Sequence, residues 1–269
     1  MSEDANSESG VQSQAQSHDI LDTQIEEGLN ELNRESAGLF LSALSAGLDI
    51  GFGPLLIAVV VTVSTGELSP PTMELLMASA YSLGFLFVIL GQTELFTEHT
   101  TLAVLPVLDK QASVVDLGRL WGLVYGGNIV GGTLFAVFVI PISISLGIAE
   151  PSAFGEVATK LTDHDAFTLF GAGILAGWLM GLLSWLVTAA SDTISTVAVI
   201  FIVTGAIGFM HLPHSIAGNV EVLGGFLATN EVTLADYGRF LVTSTAGNVV
   251  GGTVFVALLK YGHVVRGGS

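Results

Sequence analysis

Between Gly208 and Phe226 the chain reads GFMHLPHSIAGNVEVLGGF, a stretch of helix breakers and polar groups with apolar runs on both sides. His211, Pro213, His214, Ser215, Gly218, Asn219 and Glu221 then lie at membrane depth unless the chain leaves the bilayer here. Irregular backbone survives at that depth only against protein or a water-filled cavity. Intramembrane ionisable groups are costly, and by default they mark a pathway for substrate or protons. A second interruption, GQTELFTEHT at 91 to 100, stops another apolar run after Leu90. The chain is therefore held to a fold that shelters two broken helices, rather than a plain bundle of straight spans.

The remaining composition fits a membrane. Hydrophobic residues make up 51% and charged residues 12%, with a mean hydropathy of +0.72, whereas ordinary soluble domains carry roughly 25% charged residues. Acids outnumber bases 24 to 7, for a formal charge of −17. Such a charge repels phosphates and argues against nucleic acid as a partner. An acidic surface also stays hydrated where salt screens repulsion, which is the expectation for a host with a salty interior or exterior. With no cysteine, disulfides, thiolate metal sites and cysteine catalysis are excluded. No basic segment followed by a short apolar core opens the chain, so no cleavable signal peptide is expected.

Residues 1 to 33 read as an acidic tail, disordered to about residue 20 and then a short amphipathic helix on the membrane surface, with Leu21, Ile25, Leu29 and Leu32 on one stripe. Residues 34 to 262 read as a channel domain. Its spans run from about Ala37 to Val63, Met73 to Leu90, Leu117 to Ile140, Phe167 to Ala190, Ile194 to Met210 with a restart near Asn219, and Phe240 to Lys260. A loop with Gly66, Pro70 and Pro71 follows the first span, and the polar stretch from about Ser143 to Asp165 is expected to face water. Residues 263 to 269 form a short C-terminal tail. With six crossings, Arg34, Lys110, Arg119, Lys260 and Arg266 fall on one side and Lys160 and Arg239 on the other, which puts both termini in the cytoplasm of a multi-pass cell-membrane protein.

An internal repeat orders these spans. GNIVGGTLF at 127 to 135 recurs as GNVVGGTVF at 247 to 255, an offset of 120. The same offset lays Glu94, Leu95, Phe96 and Thr97 over His214, Ser215, Ile216 and Ala217. Each half has three crossings, an odd number, so the halves are inverted. Matching interruptions in inverted halves point to a transport site near the bilayer middle. The fold expected is all-α and integral to the membrane, with six transmembrane helices as three plus three and helices two and five interrupted.

GQTELFT and PHSIAGN on two interrupted helices, together with GILAGWLMGLLSW at 173 to 185, resemble the formate/nitrite transporter family over about residues 34 to 260. The resemblance implies an aquaporin-like protomer with its own pore, a homopentamer in membrane lipid, and passage of small monovalent anions of weak acids such as formate or nitrite. Residue by residue, it makes His214 the central pore histidine, Thr97 the threonine that can bond it, and Leu95 and Phe96 a constriction. Ser215 and Asn219 belong to the same substrate path. An ungapped count along helix two adds Tyr81 and Phe85 as a second narrowing. The family usually has Glu before the histidine, Asn four residues after it, and Lys or Arg just before GIL. Here those places hold Pro213, Gly218 and Ala172, so a buried acid and base are missing together and neither is left unpaired.

A bare anion meets a steep cost in an apolar constriction, so a pore must neutralise it or offer donors in place of water. Histidine, with an unperturbed pKa of about 6.5, can attract the anion as imidazolium or hand it a proton. A neutral acid would then cross Leu95 and Phe96. Glu94, Glu98, His99, His211, Glu221 and Asp49 are further candidates as proton or vestibule groups. Plainer readings stand beside these: His214 can satisfy carbonyls of the broken helix, Glu94 and Glu98 can cap helix ends, Thr97 can bond back within its own turn, and Asn128 and Asn248 read as interhelical glue. Two other classes remain, a channel for small neutral solutes, which lacks Asn-Pro-Ala caps here, and a membrane-embedded metal enzyme using His211, His214, His99 and a carboxylate. The residues argue against catalysis, and neither cofactor nor metal is expected.

Overall fold

The computed structural model describes residues 2–64 and 68–267, with side chains from 16 to 266. The turn expected at Gly66 and the last two residues lie outside the described residues. The described chain is helical: α1 (Ser2–Asn33), α2 (Ser36–Ile50), α3 (Phe52–Val63), α4 (Pro70–Leu90), α5 (Phe96–Leu102), α6 (Leu105–Leu108), α7 (Val114–Ser145), α8 (Pro151–Thr162), α9 (Ala166–Ala189), α10 (Thr193–Phe209), α11 (Ser215–Ala228), α12 (Leu234–Val250) and, after a π-helical stretch Gly251–Leu258, α13 (Leu259–Gly267). Five stretches are long and apolar enough to cross a membrane, with α2 and α3 counting as one and α12 to α13 as another, while α10 and α11 are shorter apolar helices. In hydrocarbon a helix is favoured because it satisfies its own backbone, so runs rich in Val and Ile such as α3 and α10 still coil.

Local signals set the helix ends. Prolines occupy the first turns of α4 and α8, where the missing N–H is harmless. Ser113 with Asp116 and Thr233 with Asp236 form reciprocal caps at the starts of α7 and α12, so the boxes that open the third helix of each half also lie 120 positions apart. Asp165 and Asp192 cap α9 and α10. Within each half, glycine brings the first and third helices together. Gly47 faces the backbone of Asn128 and Gly131 that of Leu44, while Gly177 faces Asn248 and Gly251 faces Ile174. Any side chain at these four places would collide with a partner helix's main chain, which is the small-residue packing expected of membrane helices.

Two contacts join corresponding stretches of the sequence repeat. Ser82 Oγ donates to the Phe201 carbonyl at 3.2 Å, and Tyr125 OH meets Thr245 Oγ1 at 3.1 Å. These partners sit 119 and 120 positions apart, so equivalent places of the two halves touch each other. The repeat carries three spacings. Third helices match at 120, broken helices at 119, since the N-cap residues are Leu95 and His214, and first helices at 130, where Asn128 reaches Ala43 and Asn248 reaches Gly173. The single offset of 120 therefore places the breaks one residue out of step: Leu95, not Glu94, is the counterpart of His214.

Four other expectations change. The stretch from 143 to 165 does not simply face water, because α8 packs on α11 and buries Ala153, Phe154, Val157, Ala158 and Leu161. That i, i+3, i+4 pattern is an amphipathic helix whose apolar face has found protein. The tail is helical from Ser2, not only from Ile20. Its stripe is buried against the protein through Leu21, Ile25 and Leu32, with Gln24 donating to Ser184 Oγ at 2.9 Å and to Thr188 Oγ1 at 3.1 Å, so it does not lie on lipid. The restart of helix five comes at Ser215, ahead of Asn219, and α13 carries the sixth span past residue 262.

Candidate functional site

Both interruptions are built the same way. α4 and α10 each end in a turn that passes through a left-handed residue, Gln92 (φ 54°) and His211 (φ 48°). These two lie 119 positions apart and carry a strain that glycine would avoid. The chain then runs extended to the next N-cap. An asparagine from the third helix of the same half clamps each restart. Asn128 Oδ1 accepts from Phe96 N at 2.8 Å while its amide donates to the carbonyls of Ala43 and Glu94, both at 2.8 Å. Asn248 does the same for Ser215 N at 2.8 Å, Gly173 O at 2.9 Å and Pro213 O at 3.0 Å. Each amide thus satisfies one N–H and one carbonyl that the break leaves bare and ties them to a carbonyl of the first helix of the same half. Beyond the first break, Thr101 and Thr253 tie α5 to the π-helical stretch through bonds of 3.0 Å to Gly252 O and Thr100 O.

The restarts aim Thr97 and His214 at each other. Thr97 Oγ1 and His214 Nε2 are 2.7 Å apart, and both side chains are buried. His214 Nδ1 accepts the Ala217 N–H at 3.1 Å as the cap of α11. A ring that accepts at Nδ1 carries its proton on Nε2 when neutral, so Nε2–H donates to Thr97 and leaves the threonine hydroxyl hydrogen free to donate elsewhere. Phe85 stands edge-on to the imidazole, 5.1 Å between centroids, and Tyr81 lies 5.1 Å from Phe85. Leu95 is fully buried at the N-cap of α5. Phe96 packs on Tyr125 and Trp121 of α7.

A cavity opens on each side of this centre. One, about 500 Å³, is lined by Glu27 and Glu31 of α1, by Glu94, Glu98 and His99 of the first break, and by Thr188 at the end of α9. The other, about 620 Å³, is lined by Glu74, Lys160 and His211 and by Thr168 and Ala172 at the start of α9. Thr168 and Thr188 are 20 positions apart on one helix, about 30 Å at 1.5 Å per residue. The two vestibules therefore lie at opposite ends of the bundle.

The other charged groups pair at the mouths. Glu94 does not cap α5. Its carboxylate binds Arg34 at 2.5 Å and His99 Nε2 at 2.6 Å, and Arg34 also reaches Glu31 at 2.7 Å. Burial and the neighbouring Glu94 push the Glu31 carboxyl above its usual range, against the pull of Arg34. Glu31, Glu94 and His99 hold their ligand atoms within 4.8 Å of one another, but the guanidinium already occupies both carboxylates. His211 and His214 do not share a metal geometry: the first pairs with Glu74 at 2.8 Å and the second uses both ring nitrogens as above. Asp49 accepts from Ser45 at 3.3 Å and lines neither vestibule. Asn219 accepts from Tyr237 OH at 2.7 Å and lies against Gly132 of α7, with no bond to His214. Ser215 Oγ is buried and unbonded.

Sequence reasoning missed Glu74 and Lys160, which face the second vestibule from α4 and α8. No motif carries them, and α8 lies within the polar stretch expected to face water. It also could not say why Gly218 stands where the family has Asn. A β-carbon there would meet the ring of Phe240, so the phenyl group and the glycine fill one space. Gly218→Asn is expected to lose ~1–3 kcal/mol through overpacking and to regain part of it when combined with Phe240→Ala; unfolding in detergent micelles measures both, and a neutral single variant would refute the packing argument.

A family profile described as formate/nitrite transporter matches residues 18–262. Among curated relatives, the inner membrane protein YfdC of Escherichia coli is 31% identical over 243 residues, covering 89% of this chain and 76% of that protein. The nitrite transporter NirC of Salmonella typhimurium is 29% identical over 227 residues, 82% of this chain and 81% of its own. Among solved structures, one described as an FNT family ion channel superposes with a TM-score of 0.79 at 24% identity, covering 91% of this chain and 98% of its own. A pentameric formate channel with formate bound gives 0.72 at 24%, with 86% and 98% covered. These structural likenesses establish the fold.

Proposed function

The chain belongs to the formate/nitrite transporter family, and on that premise we propose that it is a membrane channel for small monovalent anions of weak acids, of the class of formate and nitrite, with Thr97 and His214 at the pore centre. The observation that carries this reading is the 2.7 Å contact between those two side chains, held on two separate broken helices between vestibules at opposite ends of the bundle.

An arriving anion meets Lys160 and His211 in one vestibule, passes the rings of Tyr81 and Phe85, and reaches donors at the centre. There the hydroxyl of Thr97, oriented by the Nε2–H of His214 that it accepts, replaces part of the lost hydration shell, in a setting where a charge-assisted bond is roughly twice as strong as a neutral one. Because Nδ1 caps α11, an imidazolium would turn a second N–H against the Ala217 N–H. The cap therefore favours His214 as a neutral hydrogen-bond donor over a shuttling proton carrier. Freed N–H groups at the starts of α5 and α11 add partial positive charge nearby. Beyond the centre, Leu95 and Phe96 form the apolar exit toward Glu94, Glu98 and His99.

By analogy with the pentameric formate channel, we assign five such protomers around a common axis, each with its own pore. The excess of lysine and arginine on the face of α1 and α13 supports placing both termini in the cytoplasm of the cell membrane. The test is a panel of formate, nitrite, acetate and chloride on vesicles reconstituted with the purified protein. Faster flux of at least one weak-acid anion than through empty vesicles is expected, and equal flux for all of them would refute the substrate class.

A further inference from the structure

Adjoining the vestibule lined by Lys160, with which it shares Lys160, His211 and Leu212, is a small cavity of about 20 Å³, room for roughly one water, and its Tyr81 packs on Phe85, which in turn packs on His214. Tyr81, His211, Leu212, Lys160 and Glu221 face it. Glu221 comes from α11, seven residues past His214, which is about 10 Å along the helix. Its side chain is buried, and no hydrogen bond or ion pair satisfies its carboxyl among the described residues. The cations nearby are otherwise engaged. Lys160 is held by Glu74 at 3.3 Å and Glu156 at 3.6 Å, and His211 is held by the other oxygen of the same Glu74 at 2.8 Å. The remaining titratable groups of the vestibule, Asp163 and His164, line its wider mouth rather than this cavity.

An unpaired carboxylate in a one-water cavity beside the path of an anion is a contradiction unless its charge can be removed. Ionised, it would repel the anion in a medium where screening is weak. Carrying a proton, the same group is neutral and presents an O–H donor. Tyr81 lines the same cavity. We propose that Glu221 is a proton-operated gate of this pore: protonated, it donates a hydrogen bond to an anion passing beside the cavity that it shares with Tyr81 and Lys160, and deprotonated, it repels the anion. This deepens the channel reading and rests on it.

The experiment measures formate and nitrite flux through reconstituted vesicles for the parent and Glu221→Gln, between about pH 5 and about pH 9. The amide keeps a donor and cannot ionise. The ratio of variant to parent flux is expected to stay near one in acid and to rise toward ~10-fold per pH unit once the parent's gate has lost its proton. Lys160→Gln is the second variant. With the ammonium gone, the negative charge of Glu221 is less compensated, so the alkaline fall in flux is expected to move to higher pH whatever happens to its amplitude. A ratio that stays flat with pH in Glu221→Gln, or a Lys160→Gln profile with the parent's midpoint, overturns the gate. Parent protein that moves no weak acid faster than empty vesicles overturns the channel reading itself, which is a separate outcome.

Discussion

Vesicles carrying His214→Asn are expected to pass weak-acid anions about 10- to 100-fold more slowly than the parent. A hydrogen bond to a charged group contributes about 1.5–3 kcal/mol, and each 1.4 kcal/mol is tenfold in a rate or equilibrium. Asparagine separates the two jobs of His214. It is among the best N-cap residues, so the cap on Ala217 N and the start of α11 survive. It is shorter than histidine, so the reach to Thr97 Oγ1 is lost. Thr97→Val, which removes the hydroxyl at nearly constant shape, is expected to give a loss of the same order. The double variant should lose no more than the larger single, because the two groups act as one donor site. Parent-like flux in His214→Asn would make the histidine a structural cap and move the pore centre elsewhere.

The largest expected effect on stability comes from the asparagine clamps. Asn248→Leu removes three bonds at once and strands the Ser215 N–H and the Pro213 carbonyl, while the Gly173 carbonyl keeps its bond within α9. Unsatisfied buried groups cost about 1–3 kcal/mol each, whereas hydrogen bonds measured inside membranes average nearer 0.6 kcal/mol. A loss of about 2–5 kcal/mol is therefore expected. Asn128→Leu, which strands Phe96 N and the Glu94 carbonyl, should lose a similar amount because the geometry is the same. Detergent-titrated unfolding of the purified variants checks this. A change below about 0.5 kcal/mol in both would mean that the breaks hold themselves open without the clamps.

Asn128 and Asn248 also show what a sequence can disclose. They stand in the repeated GN of GNIVGGTLF and GNVVGGTVF, and their type marks them as interhelical glue, which is their place in the structure. What they hold is not legible along the chain, because Phe96 and Ser215 lie 32 and 33 positions away and nothing local encodes that pairing. Glu94 illustrates the opposite failure. A carboxylate beside a helix start has a local explanation as a cap, but Arg34, 60 positions earlier, arrives from α1 and takes it. The register of the breaks slipped by one residue for a related cause. The motif that sets the spacing at 120 lies on the third helices, and the connection between a broken helix and its third helix is one residue longer in the second half than in the first. Only the matched turns at Gln92 and His211 and the matched caps at Leu95 and His214 reveal 119.

By itself the sequence determined that this chain spans a membrane, that it is built from two related halves, and that each half carries one broken helix. Those properties follow from hydropathy, glycine spacing and helix breakers, which act within a turn or two of the chain. The tertiary structure decided the rest. It set Thr97 against His214, buried α8 and the stripe of α1 on protein, and brought Lys160 and Glu221 to one small cavity. Each of these depends on which helix faces which across the bundle, and in hydrocarbon that choice is made by close packing and hydrogen bonding between distant segments rather than by any periodicity along the chain.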